Sequence, residues 1–236
     1  MKSRERFLAS QDTCPYLPEQ IWQLEYDLVT ELNKEEYSAL VRKGWRKFGS
    51  ELFRPQCPAC SACQSIRILV DEFRPSRAQR RAIRANQDLR LEISVGTLTP
   101  EKLSLYWQYH QSRAEAIGWK LPSVDSALMH LAMLCEGPLK AQEWCFYLDT
   151  TLVAFSYVDP LDDGLSAIYS VYSPDYKERS LGSFIILSLI ERAAREHLPY
   201  VYLGYYVAGC RSMSYKASYR PNQVLGPDLE FHDFSS

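Results

Sequence analysis

The chain has no apolar run able to cross a bilayer. Its longest uncharged apolar stretch, around Phe184 to Ile190, falls far short of the ~20 residues a helical span needs, so no membrane partner is expected. The charged start Met1–Arg6 is followed by no apolar segment and no small-residue cleavage site, which predicts a cytoplasmic location rather than export. A G-x-S-x-G elbow, a Walker loop and a pair of catalytic carboxylates are all missing, and the four histidines lack metal-ligand spacing. Hydrolase elbows, P-loop phosphoryl transfer and histidine-held metals are thereby set aside. There is no internal repeat, low-complexity tract or linker. What remains, 46% hydrophobic and 13% aromatic residues in 236, suffices for a real core.

Net charge is also nearly absent, at −2, but it is unevenly placed. From Arg42 to Arg90 there are twelve Lys or Arg against four acids, a local charge of +8 that leaves −10 for the rest. A near-neutral protein that concentrates its positive charge in this way is organised to meet a polyanion or an acidic group there. The sharpest part is Arg77, Arg80, Arg81 and Arg84, spaced i, i+3, i+4, i+7 with no acid between Pro75 and Gln87. On a helix these four guanidinium groups share one face, suited to bidentate pairing with phosphate or carboxylate.

Local signals give an α+β chain. Trp22, Leu24, Tyr26 and Leu28 alternate as a strand, and Asn33 with Glu36 forms a capping box opening a helix to about Gly44. Ile66, Ile68 and Val70 alternate next, and Ser76 with Gln79 caps a helix to about Asp88. Thr99-Pro100 opens a helix to about Ala116. Strands follow at Trp144–Leu148, Leu152–Val158 and Ser166–Tyr172, then a turn at Ser180–Ser183, a helix to about His197, and a strand from Tyr200 to Val207. The expected division is an N-terminal module of residues 1–95 and a C-terminal domain of residues 96–236. The order meander, helix, strand in the latter resembles the core of GNAT acyltransferases.

Seven cysteines include Cys57, Cys60 and Cys63 at two-residue spacing, with Cys14 on a preceding loop. Four thiols so arranged suit zinc or an iron-sulfur cluster, and spacing does not choose between them. Cys135, Cys145 and Cys210 read as core thiols. Ser180 and Gly182 stand at a helix start, where free N–H groups favour an anion such as a pyrophosphate. Tyr172, Tyr205 and other tyrosines near Lys216 and Arg220 suit a site that stacks a nucleobase and orients an ester.

Cys-Pro-Tyr-Leu at 14–17, Phe53-Arg54-Pro55 with CPACSAC at 57–63, FRPSRAQRR at 73–81, YSPDYKERSLG at 172–182 and YLGYYVAGCRSMSYKASYRP at 202–221 together resemble the aminoacyl-tRNA-protein transferase family. The resemblance implies a GNAT-like fold with the Cys-containing N-terminal αβ module packed against it. It also implies transfer of Leu or Arg from charged tRNA to proteins with N-terminal Asp or Glu, marking them for N-degron degradation, with no cofactor required for the chemistry. On that basis Asp175 is expected to orient the α-amino group or accept its proton. Tyr205 and Lys216 are expected to hold the aminoacyl ester and terminal adenosine, and Arg77 and Arg80 to bind the acidic side chain or acceptor-stem phosphates. Two other classes stay open: a CoA-dependent N-acyltransferase and a metal-stabilised RNA-binding module.

Overall fold

The computed structural model describes residues 1–234. The chain begins with β1 (Lys2–Leu8), β2 (Asp12–Thr13), β3 (Ile21–Trp22), β4 (Leu24–Glu31), α1 (Lys34–Arg42), β5 (Arg46–Phe48) and β6 (Glu51–Pro55). Of these, β1, β4, β6 and β5 pair in that order as a small antiparallel sheet, while β2 and β3 form a two-residue ladder. Both halves of the Asn33–Glu36 capping box are made, at 2.9 and 3.0 Å. The helix buries Tyr37 and Val41 against Leu52, Trp45 and Tyr202.

Next come β7 (Gln64–Leu69), α2 (Arg77–Ala85), β8 (Leu89–Val95), α3 (Pro100–Ile117), α4 (Val124–Cys135), β9 (Gln142–Leu148), β10 (Thr151–Pro160) and β11 (Gly164–Tyr172). After a 3-10 turn at Pro174–Arg179 follow α5 (Leu181–Arg195), β12 (Tyr200–Tyr206), α6 (Arg211–Ser214), a second 3-10 turn at Tyr215–Ser218, β13 (Asn222–Leu225) and β14 (Phe231–Asp233). One eight-stranded mixed sheet collects β14-β13-β7-β12-β11-β10-β9-β8 in that order. Its members β7 and β8 both precede residue 96, so the expected boundary falls in the β8–α3 connection and the sheet runs across it. The expected α+β class and the antiparallel meander β9–β10–β11 are present.

Alternation along the strands explains the layers. On β9, Trp144 and Phe146 face the core under α5, while Cys145 faces the core under α3 and α4. β10 is covered on both faces and is buried from Leu152 to Asp159. α5 buries Leu181, Ile185, Ile186, Leu189 and Ile190 against the sheet. No helix among the described residues is long and apolar enough to cross a membrane.

Candidate active site

β11 and β12 are the parallel neighbours at the centre of the sheet, and they pair only from Gly164–Ser166 to Tyr200–Tyr202. β11 then runs on to Tyr172 and β12 to Tyr206 with no further pairing to each other, so the two strands part. The opening is occupied on one side by Arg46. Its guanidinium donates to Ser166 Oγ at 2.9 Å and to the Ala167 carbonyl, and Gly204 opposite it adopts φ +76°, where a Cβ would stand 3.6 Å from the guanidinium carbon. The left-handed backbone is what favours glycine here, since a Cβ at 3.6 Å would make only ordinary contact. The neighbouring Lys47 Nζ lies 3.2 Å from Asp159 Oδ1 in a fully buried ion pair.

Beyond the parted strands an aromatic cluster gathers around Tyr172. Arg113 of α3 donates to the Tyr172 hydroxyl and stacks its guanidinium over the rings of Tyr109 and Tyr172. Tyr109 meets Tyr172 edge-to-face at 4.9 Å. Tyr215 comes from the second 3-10 turn with about half of its side chain exposed, while desolvation of its hydroxyl and the neighbouring Tyr219, Tyr109 and Tyr172 hydroxyls raise its pKa. Gly182 packs directly on this group: a Cβ there would meet the Tyr172 ring at 2.9 Å. Its small size serves Tyr172, a steric reason separate from the anion site expected of the helix start. Ser180 caps nothing with its side chain and sits in the left-handed region at φ 55°.

Not all the expected residues share this cleft. The Tyr205 hydroxyl donates to the Gly44 carbonyl at 2.8 Å, pinning β12 to the entry of β5, and burial pushes its pKa up. Lys216 is buried and donates from Nζ to the Tyr205 carbonyl at 2.6 Å, with Met213 Sδ at 3.3 Å. Burial, then the Arg46 charge, lowers its pKa to about 7. Lys216 therefore clamps the 211–219 segment onto β12. Asp175 is exposed at the start of the 3-10 turn after β11, its N–H donating to Ser173 Oγ at 3.2 Å. Arg220 is exposed and its Nε donates to the Ala217 carbonyl.

Helix α2 borders the same region. Its inner face buries Gln79 and Ala82, and Gln79 reaches the Ser218 carbonyl at 3.4 Å while Asn86 donates to the Arg179 carbonyl at 2.7 Å. Arg77, Arg80, Arg81 and Arg84 are all exposed on the other face, and no carboxylate among the described residues pairs with them. The Ser76–Gln79 capping box that starts the helix is complete.

The thiols lie on the far side of β12. A cavity of about 340 Å³ is lined by Cys14, Cys57, Cys60, Cys63 and Tyr205, among others. Burial and the neighbouring cysteines raise Cys63 to about 12, and Cys210, expected in the core, is among those neighbours. No three His, Cys, Asp or Glu side chains among the described residues are placed to share a metal ion. Arg46, Lys47, Asp159, Tyr109 and Arg113 are not marked as site residues by the sequence. The first three gave no local signal, because a charged residue in a strand reads as solvent-facing unless its partner across the fold is known.

Residues 12–81 match the family described as Arginine-tRNA-protein transferase, N terminus, and residues 101–226 the same family's C terminus. An aspartate/glutamate leucyltransferase of Campylobacter jejuni is 38% identical over 220 residues, 93% of this chain and 92% of that protein. One from Marinobacter nauticus is 38% identical over 213 residues, 90% of this chain and 89% of that protein. The crystal structure of FemX is similar at a TM-score of 0.46 and 10% identity, covering 86% of this chain and 79% of that one.

Proposed function

Given that the chain belongs to the arginine-tRNA-protein transferase family, we propose that it transfers leucine from charged tRNA to the α-amino group of proteins beginning with Asp or Glu. The nearly full-length match to aspartate/glutamate leucyltransferases carries this reading, and favours leucine over arginine as the donor residue. The amine nitrogen attacks the ester carbonyl, the new C–N bond forms, and the ester C–O bond breaks. The terminal adenosine leaves with its ribose oxygen protonated. The ester is already activated, so the protein has to hold the amine within near-attack distance and stabilise the developing oxyanion.

Parting of β11 from β12 after a meander and a helix supports a GNAT-like arrangement, with the acceptor amine entering between the two strands. Tyr172, held by Arg113 and backed by Gly182, faces the ester together with Tyr215 and Tyr219. Asp175, one turn beyond β11, orients the ammonium or takes its proton. Lys216 and Tyr205 act through position, keeping the 211–219 segment on β12. The exposed face of α2 receives phosphates of the acceptor stem or the acidic side chain of the protein substrate. Cys14, Cys57, Cys60 and Cys63 are an all-thiol donor set lining one cavity, but their side chains are not placed to share an ion, so a zinc or iron-sulfur centre would form there only if the loops drew the thiols together. That centre would brace the N-terminal loops, and no step of transfer runs through it.

The test is transfer of labelled leucine or arginine from the respective charged tRNAs to reporters that begin with Glu, Asp or Ala. Leucine on the Glu and Asp reporters alone is the expected result. Transfer of arginine in its place would overturn the donor assignment, and labelling of the Ala reporter would overturn the acceptor.

A further inference from the structure

Trp119 stands in the connection between α3 and α4, 36% exposed, in a stretch that also leaves Ile117, Leu121 and Met129 at the surface. Its ring is nonetheless held in place. It packs edge-to-face on Tyr109 at 6.3 Å and tilted on His110 at 5.8 Å. Tyr109 in turn meets Tyr172 at 4.9 Å, so an unbroken aromatic row leads from the surface into the cleft beside the parted strands. A connection built only for solubility would present polar groups here.

Resting on the reading of the cleft as the site of aminoacyl transfer from tRNA, we propose that Trp119 is the stacking platform for an unpaired base of the tRNA acceptor end, next to the terminal adenosine. With the ester at Tyr172, the nucleotides before it have to leave the cleft over one of its borders. The α3 border offers a fixed indole face with Lys120 beside it, and the α2 border offers four exposed arginines with no paired acid among the described residues. Both borders touch the segment from Tyr172 to Arg179, α3 through Arg113 and α2 through Asn86. Bases on the aromatic side and phosphates on the arginine side match the two faces of a single strand. Stacking of this kind tolerates any base, as an invariant acceptor end shared by many tRNAs allows.

The test compares Trp119→Leu, which keeps apolar bulk but no ring, with Trp119→Phe, which keeps a ring. Each is assayed with leucyl-tRNA and with leucyl-adenosine as donor, against a peptide beginning with Glu. Trp119→Leu should raise the KM for leucyl-tRNA on the order of tenfold more than it raises the KM for leucyl-adenosine, and Trp119→Phe should recover most of the difference. Equal behaviour of the two variants, or an equal loss with both donors, overturns the platform. A rise in the KM of the peptide instead makes this a polypeptide surface and overturns it as well. Failure of the wild-type protein to use leucyl-tRNA would strike the underlying reading and not the platform alone.

Discussion

His130 shows how one side chain can tie distant elements and carry a pH dependence. It stacks on Phe48 of β5 at 4.9 Å, meets Tyr169 of β11 edge-to-face at 4.9 Å, and its Nδ1 lies 3.2 Å from the Tyr106 hydroxyl. Burial, then the neighbouring His110, lowers its pKa to about 4. Because the folded value lies below the unfolded one of about 6.5, the unfolded chain binds more protons between the two, and stability falls as pH drops from about 6.5 to about 4. Denaturant titrations across that window should show the decline, and His130→Gln should flatten it. Asp175 presents a different question, since a Pro-Asp pair entering a turn is ordinary turn chemistry. If its carboxylate accepts the amine proton, Asp175→Asn should fold normally and lose on the order of 10² in single-turnover transfer. A rate within about threefold of wild type would assign the proton to another group.

Helix α2 is defined by what its outer face omits. Four guanidinium groups with no acid partner among the described residues are costly in mutual repulsion unless an anion visits them, and each fork to a carboxylate or phosphate contributes about 1.5 to 3 kcal/mol. Arg77→Ala or Arg80→Ala should therefore raise the KM for one substrate at least tenfold, and loss of a phosphate contact should also flatten the salt dependence of tRNA binding. Unchanged kinetics toward both tRNA and acceptor would remove the helix from the site. This element was legible because its information is local: Ser76, Gln79 and the arginine spacing all lie within nine residues. The same holds for the cap of α1, the meander and α5. β1 gives no sequence signal, because Lys2–Leu8 is an exposed edge strand with no apolar alternation, whereas β8 does alternate, Leu89, Leu91, Ile93 and Val95 against Arg90, Glu92 and Ser94, a signal by which it could have been found. α4 carries no clean helical signal, because its buried Ala127, Leu131 and Leu134 are spaced among exposed apolar residues such as Val124 and Met129. Of the site, Tyr172 was anticipated, but its neighbours Arg113 and Tyr109 come from a helix more than fifty residues earlier, a juxtaposition that no local pattern encodes.

The whole molecule is held together where the small sheet meets the large one, and two groups of residues there make separate predictions. Cys14, Cys57, Cys60, Cys63 and Cys210 come from three loops that converge beside β12. If the first four hold a metal, protein prepared anaerobically should carry near-stoichiometric zinc or iron, and Cys60→Ser should lose it together with thermal stability. Absence of both elements would return the thiols to packing. The deeper junction is electrostatic. β5 of the small sheet sends Arg46 into the gap beside β11 and Lys47 onto Asp159 of β10, and the side chains of both Lys47 and Asp159 are almost wholly out of water. Mutual attraction largely offsets the desolvation of two such charges, so the pair adds little net stability but penalises the loss of either partner. Asp159→Leu alone strands a buried ammonium beside the Arg46 guanidinium and should cost about 3 to 5 kcal/mol in denaturant unfolding. Lys47→Met with Asp159→Leu should recover most of that loss, since two apolar side chains need no partner. If the double variant is instead as unstable as the single one, the pair fixes the register of the two sheets, and Lys47 does more than neutralise Asp159.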